Sequence, residues 1–174
     1  LIEGSKGAGK LTMAVADGKV FAIAGSKLLV LEKGKTTVGK TIDMGQRIAA
    51  VAKANDGNLW VSMQGSPAKI AKVNSKTGES IKTNLVTEIN LSAGSAAGCA
   101  IAAYHNKLYY SGLGSKIYRH DFETGTTTML GDVKVFNSEM AMTYNPIAVH
   151  PITGHIYMNR IKGFGWNFLI NSIF

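Results

Sequence analysis

The feature that most constrains this chain is a motif returning about every 45 residues, because repeated units must fold as copies of one structure. Each copy has a short apolar segment, a turn, and a second, β-rich segment. In the first copy these are Met13-Ala14-Val15-Ala16, Asp17-Gly18-Lys19 and Val20-Phe21-Ala22-Ile23. The second runs Ala49-Ala50-Val51-Ala52, Asn55-Asp56-Gly57-Asn58, Leu59-Trp60-Val61-Ser62. The third runs Ala100-Ile101-Ala102-Ala103, His105-Asn106-Lys107, Leu108-Tyr109-Tyr110-Ser111. The fourth is Ile147-Ala148-Val149-His150, Thr153-Gly154-His155, Ile156-Tyr157-Met158-Asn159. The Asp-Gly, Asn-Lys and Thr-Gly turns supply the positive φ of tight hairpins.

A third segment follows in three copies: Lys27-Leu28-Leu29-Val30-Leu31-Glu32, Lys69-Ile70-Ala71-Lys72-Val73-Asn74 and Lys116-Ile117-Tyr118-Arg119-His120-Asp121. Each follows a Gly-Ser turn, and its leading lysine recurs after 42 and then 47 residues. The loops Lys76-Thr77-Gly78-Glu79 and Glu123-Thr124-Gly125-Thr126 then lead into fourth segments. Four strands per unit at this period is the blade of a β-propeller, and no 3.6-residue apolar period supports a helical repeat. The expected fold is all-β: a β-propeller of four-stranded antiparallel blades, three complete and a partial fourth, at approximately 11–45, 46–92, 98–135 and 144–174. Small residues (Ala14, Ala16, Ala50, Ala52, Ala100, Ala102, Ala148) suit first strands lining a crowded channel. One aromatic per second strand (Phe21, Trp60, Tyr109, Tyr157) is expected to fill the space between blades.

Trp60-Val61-Ser62 and Tyr157-Met158-Asn159 resemble the Tyr-Val-Thr-Asn repeat, and Lys116-Ile117-Tyr118-Arg119-His120-Asp121 with Thr124-Gly125 resembles the outer hairpin that accompanies it. The chain thus resembles YVTN-type, YncE-like β-propellers of secreted and surface lipoproteins of gut bacteria. That resemblance implies roughly seven blades and about 300 residues. The 174 residues are therefore expected to be a fragment, with a closed four-bladed ring as the alternative. Leu1 at the start and the apolar run Phe168-Leu169-Ile170-Asn171-Ser172-Ile173-Phe174 at the end both read as cuts. The resemblance also implies export to the periplasm or cell surface, a lipid anchor, a monomer once the ring is complete, and relatives that capture cobalamin.

Composition narrows the classes. With 45% apolar and 17% charged residues the chain is no disordered tail. No apolar run approaches the roughly 20 residues of a membrane-spanning helix. A single Cys99 excludes an internal disulfide framework and a thiolate zinc cluster, and reads as a small buried residue. The net charge of +8 is spread over turn and outer-strand lysines (Lys19, Lys27, Lys33, Lys35, Lys69, Lys72, Lys76, Lys107, Lys116), which describes a solvated rim and argues against nucleic acid. Gly4-Ser5-Lys6-Gly7-Ala8-Gly9-Lys10 follows the phosphate-loop pattern until Leu11 replaces its Ser or Thr, and no helix follows. The histidines His105, His120, His150 and His155 lack ligand spacing, so no metal or other cofactor is expected.

Function is then expected in the loops around the channel mouth: Gln46 and Arg47, Gln64, Asn137 to Tyr144, and Arg160 to Trp166. Arg47, Gln64, Tyr144, Arg160 and Trp166 are the candidate ligand-binding residues, with Phe164 and Trp166 packing inside a blade edge as the competing reading. The leading expectation is a non-catalytic propeller binding a small molecule, such as a corrinoid, or an outer-membrane or surface protein. The first alternative is a lyase, hydrolase or quinoprotein-like enzyme with its site at the channel. Against it, His150 is the sole titratable group on the four inner apolar segments. The second alternative is a structural surface-assembly protein.

Overall fold

Asp17 and Gly18 adopt φ of 50° and 71°, the double positive φ that folds a chain back through a two-residue hairpin. The computed structural model describes residues 13–87, 100–111, 116–132, 141–142, 147–158 and 161–162. Strands β1 (Met13–Ala16), β2 (Lys19–Ala24), β3 (Lys27–Glu32) and β4 (Lys40–Asp43) form an antiparallel sheet in chain order. So do β5 (Ile48–Lys53), β6 (Leu59–Met63), β7 (Lys69–Val73) and β8 (Ser80–Val86). A third sheet holds β9 (Ala100–Tyr104), β10 (Lys107–Ser111), β11 (Lys116–Asp121) and β12 (Thr126–Asp132). Beyond it, β13 (Ala141–Met142) pairs with β16 (Ile161–Lys162), and β14 (Ile147–Val149) with β15 (Ile156–Met158). The first strands β1, β5, β9 and β14 touch in succession, so the sheets follow one another as blades of a partial propeller.

Strand pairing corrects the alignment of the first strands. Opposite the second-strand aromatic stand Ala14, Ala52, Ala102 and Ala148. The sequence alignment is therefore displaced by two residues in the second copy and by one in the third. The cause is local. The β5–β6 turn is longer, closed by Ala54 N–H donating to Asn58 O at 2.8 Å. In the third copy β9 runs on through Tyr104, and His105 rather than Asn106 takes the positive φ, at 51°.

With this register, alternate residues of each strand face opposite neighbours. From the first blade Ala14, Phe21, Ile23, Leu28, Val30 and Ile42 pack against Ile48, Val51, Leu59, Val61 and Val73 of the second. The second blade's other face, with Trp60 and Ile70, meets Ile101, Leu108 and Tyr110 of the third. There Trp60 stacks on Phe122, ring centroids 4.8 Å apart, and Lys72 Nζ lies 5.3 Å from the indole centre while pairing with Asp56. Lys72 is thus a partly buried packing residue, unlike the exposed Lys27, Lys69 and Lys116. The third blade meets the fourth through Ala102, Tyr109 and Ile147, with Tyr104, Val149 and Ile156 beside them. Phe21, Trp60 and Tyr109 fill inter-blade space as expected, whereas Tyr157 is 37% exposed.

Candidate functional site

The loops that join blades and those between second and third strands emerge at one end of the sheets, and backbone hydrogen bonds tie them together. Met44 N–H donates to Ser26 O at 2.9 Å, and Ile48 N–H to Gly25 O at 2.8 Å. Arg47 O accepts from Gln64 N–H at 2.8 Å, so the structure brings two of the candidate residues into contact through the main chain. Asp43 closes the loop from below, Oδ1 accepting from Gly45 N–H at 2.9 Å. That bond, helped by the Ser26 hydroxyl and the Lys27 charge, holds the Asp43 carboxyl below its ordinary range. A main chain fixed in this way presents the exposed Arg47 side chain from a defined position.

Lys27, Lys69 and Lys116 each open a third strand and stand at this same end, all exposed. The sequence reading took them as edge protection. Their recurrence carried a further signal, because one position repeated in successive blades recurs on one rim. With Arg47 they give that rim net positive character among the described residues, Asp43 and Asp132 standing opposite Lys27 and Lys116 in the pairing. Such a rim attracts anionic or strongly polar groups.

The opposite end is built from the hairpins between first and second and between third and fourth strands, and its charges are mixed. Lys19 pairs with Glu32 at 3.2 Å, and Lys107 with Asp121 at 4.0 Å. At the Asp56–Lys72 pair, desolvation opposes ionisation of Asp56. The hydrogen bonds from Lys72 and Asn58, with the Lys72 charge, outweigh it and lower the carboxyl pKa.

Tyr144, Arg160 and Trp166 lie outside the described residues, as do Cys99 and the Gly4–Leu11 segment. Ile161 and Lys162, inside the aromatic and cationic stretch, form a short ladder with Ala141 and Met142. His120 is buried, its Nδ1 3.0 Å from Thr127 Oγ1 and its ring edge-on to Phe122. His150 Nδ1 accepts from the N–H groups of Ile152 and Thr153 and so shapes its turn. Among the described residues no group of three or more His, Cys, Asp or Glu is placed to hold a metal ion. Arg119 Nε and Ser111 Oγ, missed by the sequence reading, are buried without a hydrogen-bond partner among the described residues, on the face of the third blade that carries Tyr109.

Three four-stranded antiparallel sheets in succession, with loops gathered on a cationic rim, define a protein of the β-propeller-like class. The chain belongs to the family described as Domain of unknown function (DUF5074), whose model matches residues 1–174. No curated protein matches it. Among solved structures it is similar to YCF48 bound to D1 peptide, with TM-score 0.63 and 19% identity over 84% of this chain and 46% of that one. It is also similar to a protein of unknown function from Bacteroides caccae, with TM-score 0.60 and 16% identity over 94% and 59%. A third similarity is to YCF48 from Cyanidioschyzon merolae, with TM-score 0.56 and 15% identity over 91% and 51%. The chain thus spans about half the length of these structures, and at these identities the likeness establishes the fold.

Proposed function

We propose that the protein is a non-catalytic binding propeller whose ligand sits on the rim carrying Arg47, Gln64, Lys27, Lys69 and Lys116. The observation that carries this reading is the hydrogen-bonded junction of the β4–β5 and β6–β7 loops, which fixes Arg47 beside repeated lysines. Such a rim suits a carboxylate or another strongly polar group, because a guanidinium forms charge-assisted hydrogen bonds with it. A peptide is one suitable ligand, a choice supported by the D1 peptide to which YCF48 is bound, and a free carboxylate on it would suit the rim. A corrinoid, the ligand class of some YVTN-type relatives, is the small-molecule candidate. Tyr144, Arg160 and Trp166 belong to the proposed site as its contribution from the fourth unit. Kinship with YVTN-type propellers and export to the periplasm or cell surface belong to the same proposal.

Calorimetric titration of the full-length protein with cobalamin and with peptides ending in a free carboxylate tests it. Arg47→Ala is expected to weaken binding roughly tenfold or more, the loss of one charge-assisted contact. The thermal midpoint should stay within about 2 °C, because the side chain is exposed. Arg160→Ala with Trp166→Ala should act in the same direction. Binding unmoved by any of these changes, or stability lost with binding intact, would sink the assignment.

A further inference from the structure

Two positions recur on the face that each of the first three blades turns to the next. One is the third-strand residue opposite the second-strand aromatic; the other lies two places after that aromatic. In the first blade they are Val30 and Ile23, both apolar and buried. In the second they are Lys72 and Ser62, both polar and both partnered. Lys72 pairs with Asp56, and Ser62 Oγ–H donates to Ala50 O at 3.5 Å. In the third they are Arg119 and Ser111. The turn that carries Asp56 in the second copy is there reduced to His105-Asn106, without an acid. Among the described residues, Arg119 Nε and Ser111 Oγ are closed off from solvent and have no hydrogen-bond partner.

The rest of this joint supplies no counter-charge. Asp121, two residues along β11 on the same face, is engaged: Oδ1 accepts from Glu123 N–H at 3.0 Å, and Oδ2 lies 4.0 Å from Lys107 Nζ. The fourth unit meets the face with Ile147, Val149 and Ile156. Residues 140–174 include Arg160 and Lys162 but no Asp or Glu. A guanidinium and a hydroxyl that lose their hydration between two sheets need an acceptor.

We infer that Arg119 and Ser111 form a binding slot for a small carboxylate between the third and fourth blades. The two residues are diagonal neighbours across β10–β11, a separation of about 7–8 Å that a long side chain spans. The free Nε–H lies on the edge of the guanidinium that grips a carboxylate side-on, through two parallel N–H···O bonds. Its oxygens accept from Arg119 Nε–H and a neighbouring Nη–H, and Ser111 Oγ–H donates to one of them. The turn end of the joint is closed. There a Cβ on Gly154 would lie 2.9 Å from the Tyr104 ring, whose hydroxyl donates to Ile152 O at 3.3 Å. Entry is from the rim end, where Ser111 is the last residue of β10. The slot uses no residue of the rim and does not rest on the ligand proposed there.

Thermal unfolding of the full-length protein at neutral pH, in sodium acetate against sodium chloride of equal ionic strength, tests the slot. Acetate is expected to raise the midpoint saturably, by about 3 °C or more, as a ligand of the folded state does. Arg119→Leu should abolish the rise. In chloride its midpoint should equal or exceed that of the wild type, since an apolar side chain replaces an unpaired, partly buried cation. Ser111→Ala, which keeps the arginine, should move the acetate dependence to roughly threefold higher concentration or more. Lys53→Ala removes an exposed charge elsewhere and should leave the rise intact. Absence of an acetate-specific rise overturns the inference and leaves water as the partner of the pair. A rise that survives both Arg119→Leu and Ser111→Ala overturns it too; if that rise is lost in Arg47→Ala, the carboxylate sits on the rim instead.

Discussion

The interface between the first and second blades and that between the third and fourth solve one packing problem differently. The first is a continuous, mainly aliphatic layer built around Phe21, running from Ala14 to Ile42 on one side and from Ile48 to Val73 on the other. The second, among the described residues, buries only Ala102, Tyr109 and Ile147, and adds a hydroxyl contact from Tyr104 to Ile152 O at 3.3 Å. Aliphatic interdigitation has many equivalent partners and draws strength from total area. The tyrosine-based contact concentrates on a few groups and one turn. Losses should therefore be larger at the first interface and more specific to single atoms at the second.

The largest expected effect is Phe21→Ala, which empties a fully buried site and should cost about 3–5 kcal/mol in chemical denaturation. Tyr109→Ala, its counterpart in the third blade, should cost about 2 kcal/mol. Equal losses would break the comparison. Next, Gly78→Ala combines a φ of +79° with a collision against Ile42 and should cost roughly 2 kcal/mol. Gly125→Ala, with φ +67° and open space around its Cβ, should cost about half that. In the Ile42→Ala background the excess should disappear, which a double-mutant cycle reads directly.

Smaller effects sharpen the second half. Tyr104→Phe removes one long, exposed hydrogen bond and should cost under about 1 kcal/mol, leaving the ring over Gly154 in place. Asp56→Asn removes a half-exposed ion pair, again worth under about 1 kcal/mol. Its pH signature is distinctive. The Asp56 carboxyl titrates below its ordinary 3.8 in the folded protein, so the unfolded chain binds the proton more readily. The gap between wild type and variant should hold from neutral pH down to the ordinary value and close as pH falls through the lowered folded value. A gap that widened in acid would contradict the assignment.

Much of the architecture was legible because a blade is a local object. Hairpin turns such as Asp17-Gly18 and the Lys27, Lys69, Lys116 recurrence depend on neighbours in sequence, and the structure places strands there. Register was less legible. Ala50 and Ala52 are chemically alike, so only the pairing across the longer Ala54–Asn58 turn decides which one faces Trp60. Lys72 was misleading for a related reason. Whether a polar side chain on an outer segment meets water depends on Phe122 and Trp60 arriving from other strands. The rim was half legible: Arg47 and Gln64 were marked by position in their loops, but the hydrogen bond joining them spans two turns distant in sequence.

The stack of Trp60 on Phe122, 7° from parallel, has an optical consequence. One of the chain's two tryptophans sits where the second and third blades meet, capped by Lys72, so its near-ultraviolet ellipticity reports whether those blades are joined. Separation of the pair would free the indole to rotate and wet it, erasing the ellipticity and shifting emission to the red even while each sheet kept its far-ultraviolet signal. A Trp166→Phe background would turn Trp60 into a built-in gauge of that one joint.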